Sequence, residues 1–139
     1  MAVMTHQDFE AMLQALAKGW TERDYEKVAS FFAEDVFYSD PIRYRITSRA
    51  ELLRFFQDDD GCEQSTVWHN AVFDEERQLG AAEYTYQGTH RYHGTVWVEV
   101  REGRIIRWRE YQHVSDLDWD DFWENYPNRG TGTPVPDPK

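Results

Sequence analysis

The sequence predicts an α+β domain in which a curved antiparallel sheet packs on three helices. A change of hydrophobic period along the chain carries this. Between residues 6 and 57, apolar side chains recur at three- and four-residue intervals in three runs, the spacing of a helix face. From residue 63 to 114 they alternate, in four runs separated by short polar turns, the spacing of strands. Sequential strands with such short links are antiparallel neighbours. With helices on one side only, such a sheet curls into a cone whose interior is a natural pocket.

Each element has its own signal. Thr5 to Asp8 reads as a capping box, and Phe9, Met12, Leu13, Leu16, Ala17 and Trp20 follow at helical spacing, so a helix is expected over residues 6–19 with Gly19 near its end. A second box, Thr21 to Asp24, precedes a helix to about residue 33 on the face Tyr25, Val28, Ala29 and Phe32. Asp35 to Ser39 alternates as a short strand, with Val36 and Tyr38 on one side, and Asp40-Pro41 breaks it. Ser48 and Glu51 open a third helix with Leu52, Phe55 and Phe56 inward, ended by Asp58 to Gly61. Strands are expected over 63–74, 77–89, 92–102 and 104–114, and a last helix from Ser115 carrying Trp119, Phe122 and Trp123.

The 139 residues make one domain, placed at 1–126, with a Gly-, Pro- and Thr-rich tail at 127–139 expected to be disordered. A net charge of −11 and the lack of a basic cluster argue against nucleic acid and anionic membrane surfaces as partners. No run approaches a membrane span and the first residues have no signal-peptide pattern, so a cytoplasmic location is expected. The single cysteine, Cys62, excludes an internal disulfide and a thiolate metal cage. His90 and His93 are too weak a pair for zinc and read as a solvated turn. Asp116, Asp118 and Asp120 lack the Gly and Glu of a calcium loop and read as helix-start acids. No metal and no cofactor is expected.

The segment Asp24 to Pro41, DYEKVASFFAEDVFYSDP, together with the closing stretch Gly103 to Trp119, resembles the SnoaL-like polyketide cyclases and ketosteroid isomerases. Those families share the cone-shaped nuclear transport factor two-like, or cystatin-like, fold. The resemblance implies that Asp40 is the proton-shuttling base. It does not extend to the family's oxyanion residues: Leu16 stands where a Tyr is usual, and Val96 where a carboxylic acid is usual. Among aromatic rings Asp40 is expected to have a raised pKa, suited to a general base; as a residue before proline it is also a natural turn aspartate or a partner for Arg43, Arg45 or Arg49.

Alternation places Thr66, Trp68 and Asn70 inward, then Ala82, Tyr84 and Tyr86, then Val96, Val98 and Val100, then Ile106, Trp108, Glu110 and Gln112. Glu110 is the second candidate acid or base, because an inward carboxylate must be paired or protonated. Trp20, Phe56, Trp68, Asn70, Tyr84, Tyr86, Trp108 and Gln112 are the candidate pocket residues, with the phenols and indoles as donors to an oxyanion. The outer face would carry Val67, His69, Phe73, Trp97, Tyr111 and His113, an apolar patch suited to a homodimer.

Two functions compete. One is a cofactor-independent isomerase or lyase (dehydratase or cyclase) moving a proton on a small apolar carbonyl compound. The other is a non-catalytic ligand-binding or dimeric interaction module, which the missing oxyanion residues favour.

Overall fold

The computed structural model describes residues 3–125; the expected tail at 127–139 lies outside them. Helix α1 (His6–Glu22) starts as expected: the Thr5 hydroxyl accepts from the Asp8 amide while the Asp8 carboxylate accepts from the Thr5 amide. It runs past Gly19 to a left-handed Arg23. Gly19 is therefore no helix stop. A Cβ there would lie 2.4 Å from the Val28 side chain, so the glycine lets helix α2 (Tyr25–Ser30) cross close by. Thr21 lies inside α1 and Asp24 makes no side-chain cap, so the second capping box does not form.

Strand β1 (Phe32–Asp40) begins where the second helix was expected to continue, and a three-residue strand β2 (Tyr44–Ile46) follows the turn at Pro41. Helix α3 (Arg49–Gln57) is capped by Ser48. The meander β3 (Ser65–Asp74), β4 (Leu79–Gln87), β5 (Arg91–Arg101) and β6 (Arg104–Val114) matches the four alternating runs. Where the last helix was expected from Ser115, the described residues carry a π-helical turn, Asp121–Asn125.

The six strands form one sheet in the order β2-β1-β6-β5-β4-β3. All neighbours are antiparallel except β1 and β6, which run parallel, so the sheet is mixed rather than purely antiparallel. Two one-residue bulges reset the inward face. One lies at His69, since Trp68 pairs with Tyr84 but Asn70 with Glu83. The other lies at Ile106, since Arg107 pairs with Glu99 but Ile105 with Val100. Such a bulge flips every side chain beyond it. Phe73 therefore turns inward, stacking on Phe9 at 4.7 Å, and Ile105 rather than Ile106 is fully buried.

The other face of the sheet is partly covered by the segment after β6. His93, expected in a solvated turn, is only 1% exposed beneath Trp119 and Phe122. Its Nε2 lies 2.8 Å from the Leu117 carbonyl, which can only accept, so Nε2 carries the proton. Nδ1 then accepts from the Thr85 hydroxyl at 2.9 Å, and Thr85 accepts in turn from His69 Nε2 at 2.7 Å. The His69 ring stacks on Trp119 at 3.9 Å. Burial, and then the neighbouring His93, hold the His69 pKa below its ordinary 6.5, against opposing pulls from Glu83 and Asp120.

A histidine depressed in the fold stabilises it above its unfolded pKa, and that stabilisation is lost as pH falls through the folded value. Thermal melts should therefore show acid destabilisation below about pH 6.5 that is weaker in His69→Phe, which keeps a ring against Trp119. Identical pH slopes in the two proteins would refute the linkage.

Candidate small-molecule site

The interior of the cone is a cavity of about 450 Å³, the size of a small-ligand site. Eleven of its nineteen lining residues are aromatic. Alternation explains the sheet wall: Thr66 and Trp68 on β3, Tyr84 and Tyr86 on β4, and Trp108, Glu110 and Gln112 on β6. Trp20 near the end of α1 and Phe55 and Phe56 on α3 close the helical side, with Tyr38 and Tyr44 from β1 and β2. Gly94 on β5 makes room, because a Cβ there would sit 2.9 Å from the Tyr84 ring and 2.8 Å from the Tyr111 carbonyl.

Of the expected pocket residues, Trp20, Phe56, Trp68, Tyr84, Tyr86, Trp108 and Gln112 line the cavity. Asn70 does not. The bulge at His69 turns it outward, where its amide donates to Glu83 at 2.9 Å. Nor are the expected oxyanion donors aimed at open space. The Trp68 indole donates to the Leu13 carbonyl at 2.7 Å, and the Tyr86 hydroxyl to Gln64 at 2.9 Å. The Trp108 indole donates to Glu110 Oε1 at 2.6 Å, and the Tyr84 hydroxyl to Glu110 Oε2 at 2.5 Å.

Glu110 is thus the polar centre of the cavity wall. It is buried, and Tyr38 adds a third donor to Oε1 at 3.0 Å. Burial pushes its pKa above the ordinary 4.5, since a charge far from water is poorly solvated. The bonds from Tyr84, Trp108 and Tyr38 pull it back without cancelling the rise, and the nearby Asp40 charge adds to it. The same burial, with the Glu110 charge as the next cause, raises the phenols of Tyr38 and Tyr84.

Asp40 is in the opposite condition, which corrects the expectation of a raised pKa. Burial would raise it, but the Ile42 amide, the Gln112 side chain, and the Arg43 amide and guanidinium outweigh that, and the net shift is downward. Oδ1 accepts from the Ile42 and Arg43 amides at 2.8 and 3.1 Å, closing the turn after Pro41. Oδ2 accepts from Gln112 Nε2 at 3.0 Å and faces the Arg43 guanidinium at 3.7 Å. Asp40 is not among the residues lining the cavity.

These bonds orient the Gln112 amide. Asp40, ionised, can only accept, so Gln112 turns its amide nitrogen to Asp40 and its oxygen to Tyr84, 3.0 Å away. The single Tyr84 proton then faces two acceptors, Gln112 Oε1 and Glu110 Oε2. The hydroxyl is shared between them, closer to Glu110 Oε2 at 2.5 Å than to Gln112 Oε1.

The opposite wall carries a second polar chain, Tyr86 to Gln64 to Tyr25 to Asp59. Burial and the Asp59 contact push the Tyr25 phenol up to about 12. Asp58, Asp59 and Asp60, expected from sequence to end the third helix, form this rim of the cavity. Tyr38 was legible as sharing a strand face with Val36, and Tyr25 as part of the apolar face of the second helix; Gln64 and the three aspartates had no such signal. Among the described residues no group of three or more His, Cys, Asp or Glu could hold a metal ion, and no helix is long and apolar enough to cross a membrane.

Comparison with known proteins identifies the architecture. Residues 9–108 match the model of the SnoaL-like domain. The chain belongs to that family. Its fold is shared with a ketosteroid isomerase candidate from Kribbella flavida, 24% identical over 98% of this chain and 96% of that one, with a TM-score of 0.71. A protein of cystatin-like fold and unknown function from Methylobium petroleophilum is 17% identical over 99% and 98% of the two chains, with a TM-score of 0.70. A hypothetical protein of ketosteroid isomerase-like fold from Catenulispora acidiphila, solved with trimethylamine, is 19% identical over 72% and 83%, with a TM-score of 0.63. No curated protein matches. At these identities the SnoaL-like chain shares a fold with the three structures, an α+β cone that hosts unrelated chemistries.

Proposed function

We propose that this SnoaL-like domain binds a small, largely apolar organic molecule in the cone and transfers a proton on it, as an isomerase or lyase does. The observation that carries the reading is Glu110: a carboxyl on the cavity wall, buried, with its pKa raised and with one oxygen taking a single donor. A carboxyl with a raised pKa both accepts and returns a proton near neutrality. Glu110, rather than Asp40, is the group we assign to the proton. Asp40 is a positioning residue, holding Gln112 and through it Tyr84.

Exchange of α-protons in a panel of small enolisable ketones in D2O, followed by NMR, tests this. The rate should rise as pH passes the Glu110 pKa, and Glu110→Gln should lose about a hundredfold or more, while Asp40→Asn keeps measurable exchange. Loss in Asp40→Asn with retention in Glu110→Gln would return the role to Asp40. The engagement of all four expected oxyanion donors by protein acceptors favours a second reading, ligand binding without turnover; bound ketone with no exchange in any variant would establish it. The exposed Val67, Val72, Trp97 and Tyr111 support the reading that this face meets a second copy of the chain.

A further inference from the structure

We propose that the ligand of the cone is an organic cation, a molecule with an apolar body and an ammonium or other positively charged head. The inference rests on the reading of the cone as a ligand site and narrows its chemistry. Three features of the cavity converge on it.

Its walls are largely aromatic rings. Trp20, Trp68 and Trp108, with the phenols of Tyr38, Tyr44 and Tyr84, surround the space, and the face of an aromatic ring attracts a cation. Among the described residues its ionisable lining is one-sided: Asp58, Asp59 and Asp60, with the titratable Glu110, against Arg43. Arg43 is already engaged, 3.7 Å from Asp40 and 5.0 Å above the Tyr92 ring. Among the described residues, Asp59 is the one rim carboxylate with a cationic partner, Arg23. Asp60 is held by the Thr89 hydroxyl and the Cys62 amide, neither of them charged. The third feature concerns donors. The indoles of Trp68 and Trp108 and the hydroxyls of Tyr84 and Tyr86 all point to protein acceptors. A ligand carboxylate or phosphate would meet mostly acidic groups; a cation would meet their attraction together with that of the aromatic lining.

The site also explains how a cation at the bottom of the cone would be balanced. Its charge beside Glu110 favours the ionised carboxylate, so binding releases a proton and tightens as pH rises through the Glu110 titration. A neutral ligand of the same shape has no such coupling.

The test uses a matched pair, (3-hydroxyphenyl)trimethylammonium and its uncharged isostere 3-tert-butylphenol. Each is titrated into the 15N-labelled full chain near neutral pH, in about 0.15 M salt to screen long-range attraction by the −11 net charge. The indole N–H signals of Trp20, Trp68 and Trp108 report the cone, while Trp97, Trp119 and Trp123 serve as controls outside it. The expected result is shifts confined to the first three indoles, an affinity about tenfold or more higher for the cation, and loss of most of that preference in Asp58→Asn/Asp60→Asn. These substitutions lie at the exposed rim and leave the core unchanged. Equal or tighter binding of the isostere at the same indoles would overturn the cation inference and leave the ligand site standing. Shifts only at Trp97, Trp119 or Trp123, or none with either probe, would overturn the cone as a ligand site and this inference with it.

Discussion

Glu110→Ala is expected to destabilise the fold by about 3–5 kcal/mol, while Glu110→Gln costs less than about 1 kcal/mol. In the alanine variant the Tyr38 hydroxyl and the Trp108 indole lose their acceptor inside the core, each at about 1–3 kcal/mol, and a void adds to that. Tyr84 keeps Gln112 as a partner. Glutamine keeps the size and shape of the side chain: its oxygen can accept from Tyr38 and Trp108, and its amide can donate to the Tyr84 oxygen.

The pH dependence of that comparison follows from the sign of the shift. Between the ordinary 4.5 and the raised folded pKa, the native state binds the proton and the unfolded chain does not, so stability falls as pH rises through this window. Glu110→Gln lacks the titration. Its melting temperature relative to wild type should therefore climb as pH rises from 4.5 through the raised Glu110 titration. A difference that stays flat over that range, or a glutamine variant as damaged as the alanine one, would show that Glu110 is held as an ordinary ionised carboxylate.

The fold was legible where side-chain period decides structure. The inward faces of β4 and β5, with Ala82, Tyr84, Val96, Val98 and Val100 buried, were set by alternation that nothing interrupts. The faces of β3 and β6 were legible only up to their bulges. An extra residue at His69 or Ile106 answers to the partner strand rather than to the local sequence, and it reversed Asn70, Phe73 and Ile106. The parallel pairing of β1 with β6 joins segments about seventy residues apart, and no local pattern announces it. Most of the pocket walls were readable because aromatic side chains on inward positions have nowhere else to go. The division of labour between the two carboxylates was not. Asp40 and Glu110 are both buried and each accepts three hydrogen bonds; what separates a lowered pKa from a raised one is that burial prevails at Glu110 over neutral phenols and an indole, while at Asp40 it is outweighed by backbone amides, Gln112 and the Arg43 charge. His93 misled for a related reason: what buries it is a segment some twenty-five residues further on.

Trp108→Ala should be the most damaging single truncation of an apolar core residue, at about 3–5 kcal/mol. The ring is 1% exposed at the centre of the cone. It lies flat on Tyr38 with 5.7 Å between ring centroids and meets Phe32, Trp20 and Trp68 edge-on at 5.7 to 6.3 Å. Aromatic pairs of this geometry add about 0.5–1.5 kcal/mol each to the area they bury, so a smaller apolar residue cannot recover them. The indole also donates to Glu110, so its removal leaves Oε1 with Tyr38 alone and raises the Glu110 pKa further. Trp108→Phe separates the two contributions. It keeps most of the packing, so chemical denaturation should show a loss well below that of alanine, while the proton-exchange profile of the preceding assay should move to higher pH. If phenylalanine leaves that profile where wild type has it, the indole donor has no part in setting the Glu110 proton affinity, and Trp108 is a wall of the cone alone.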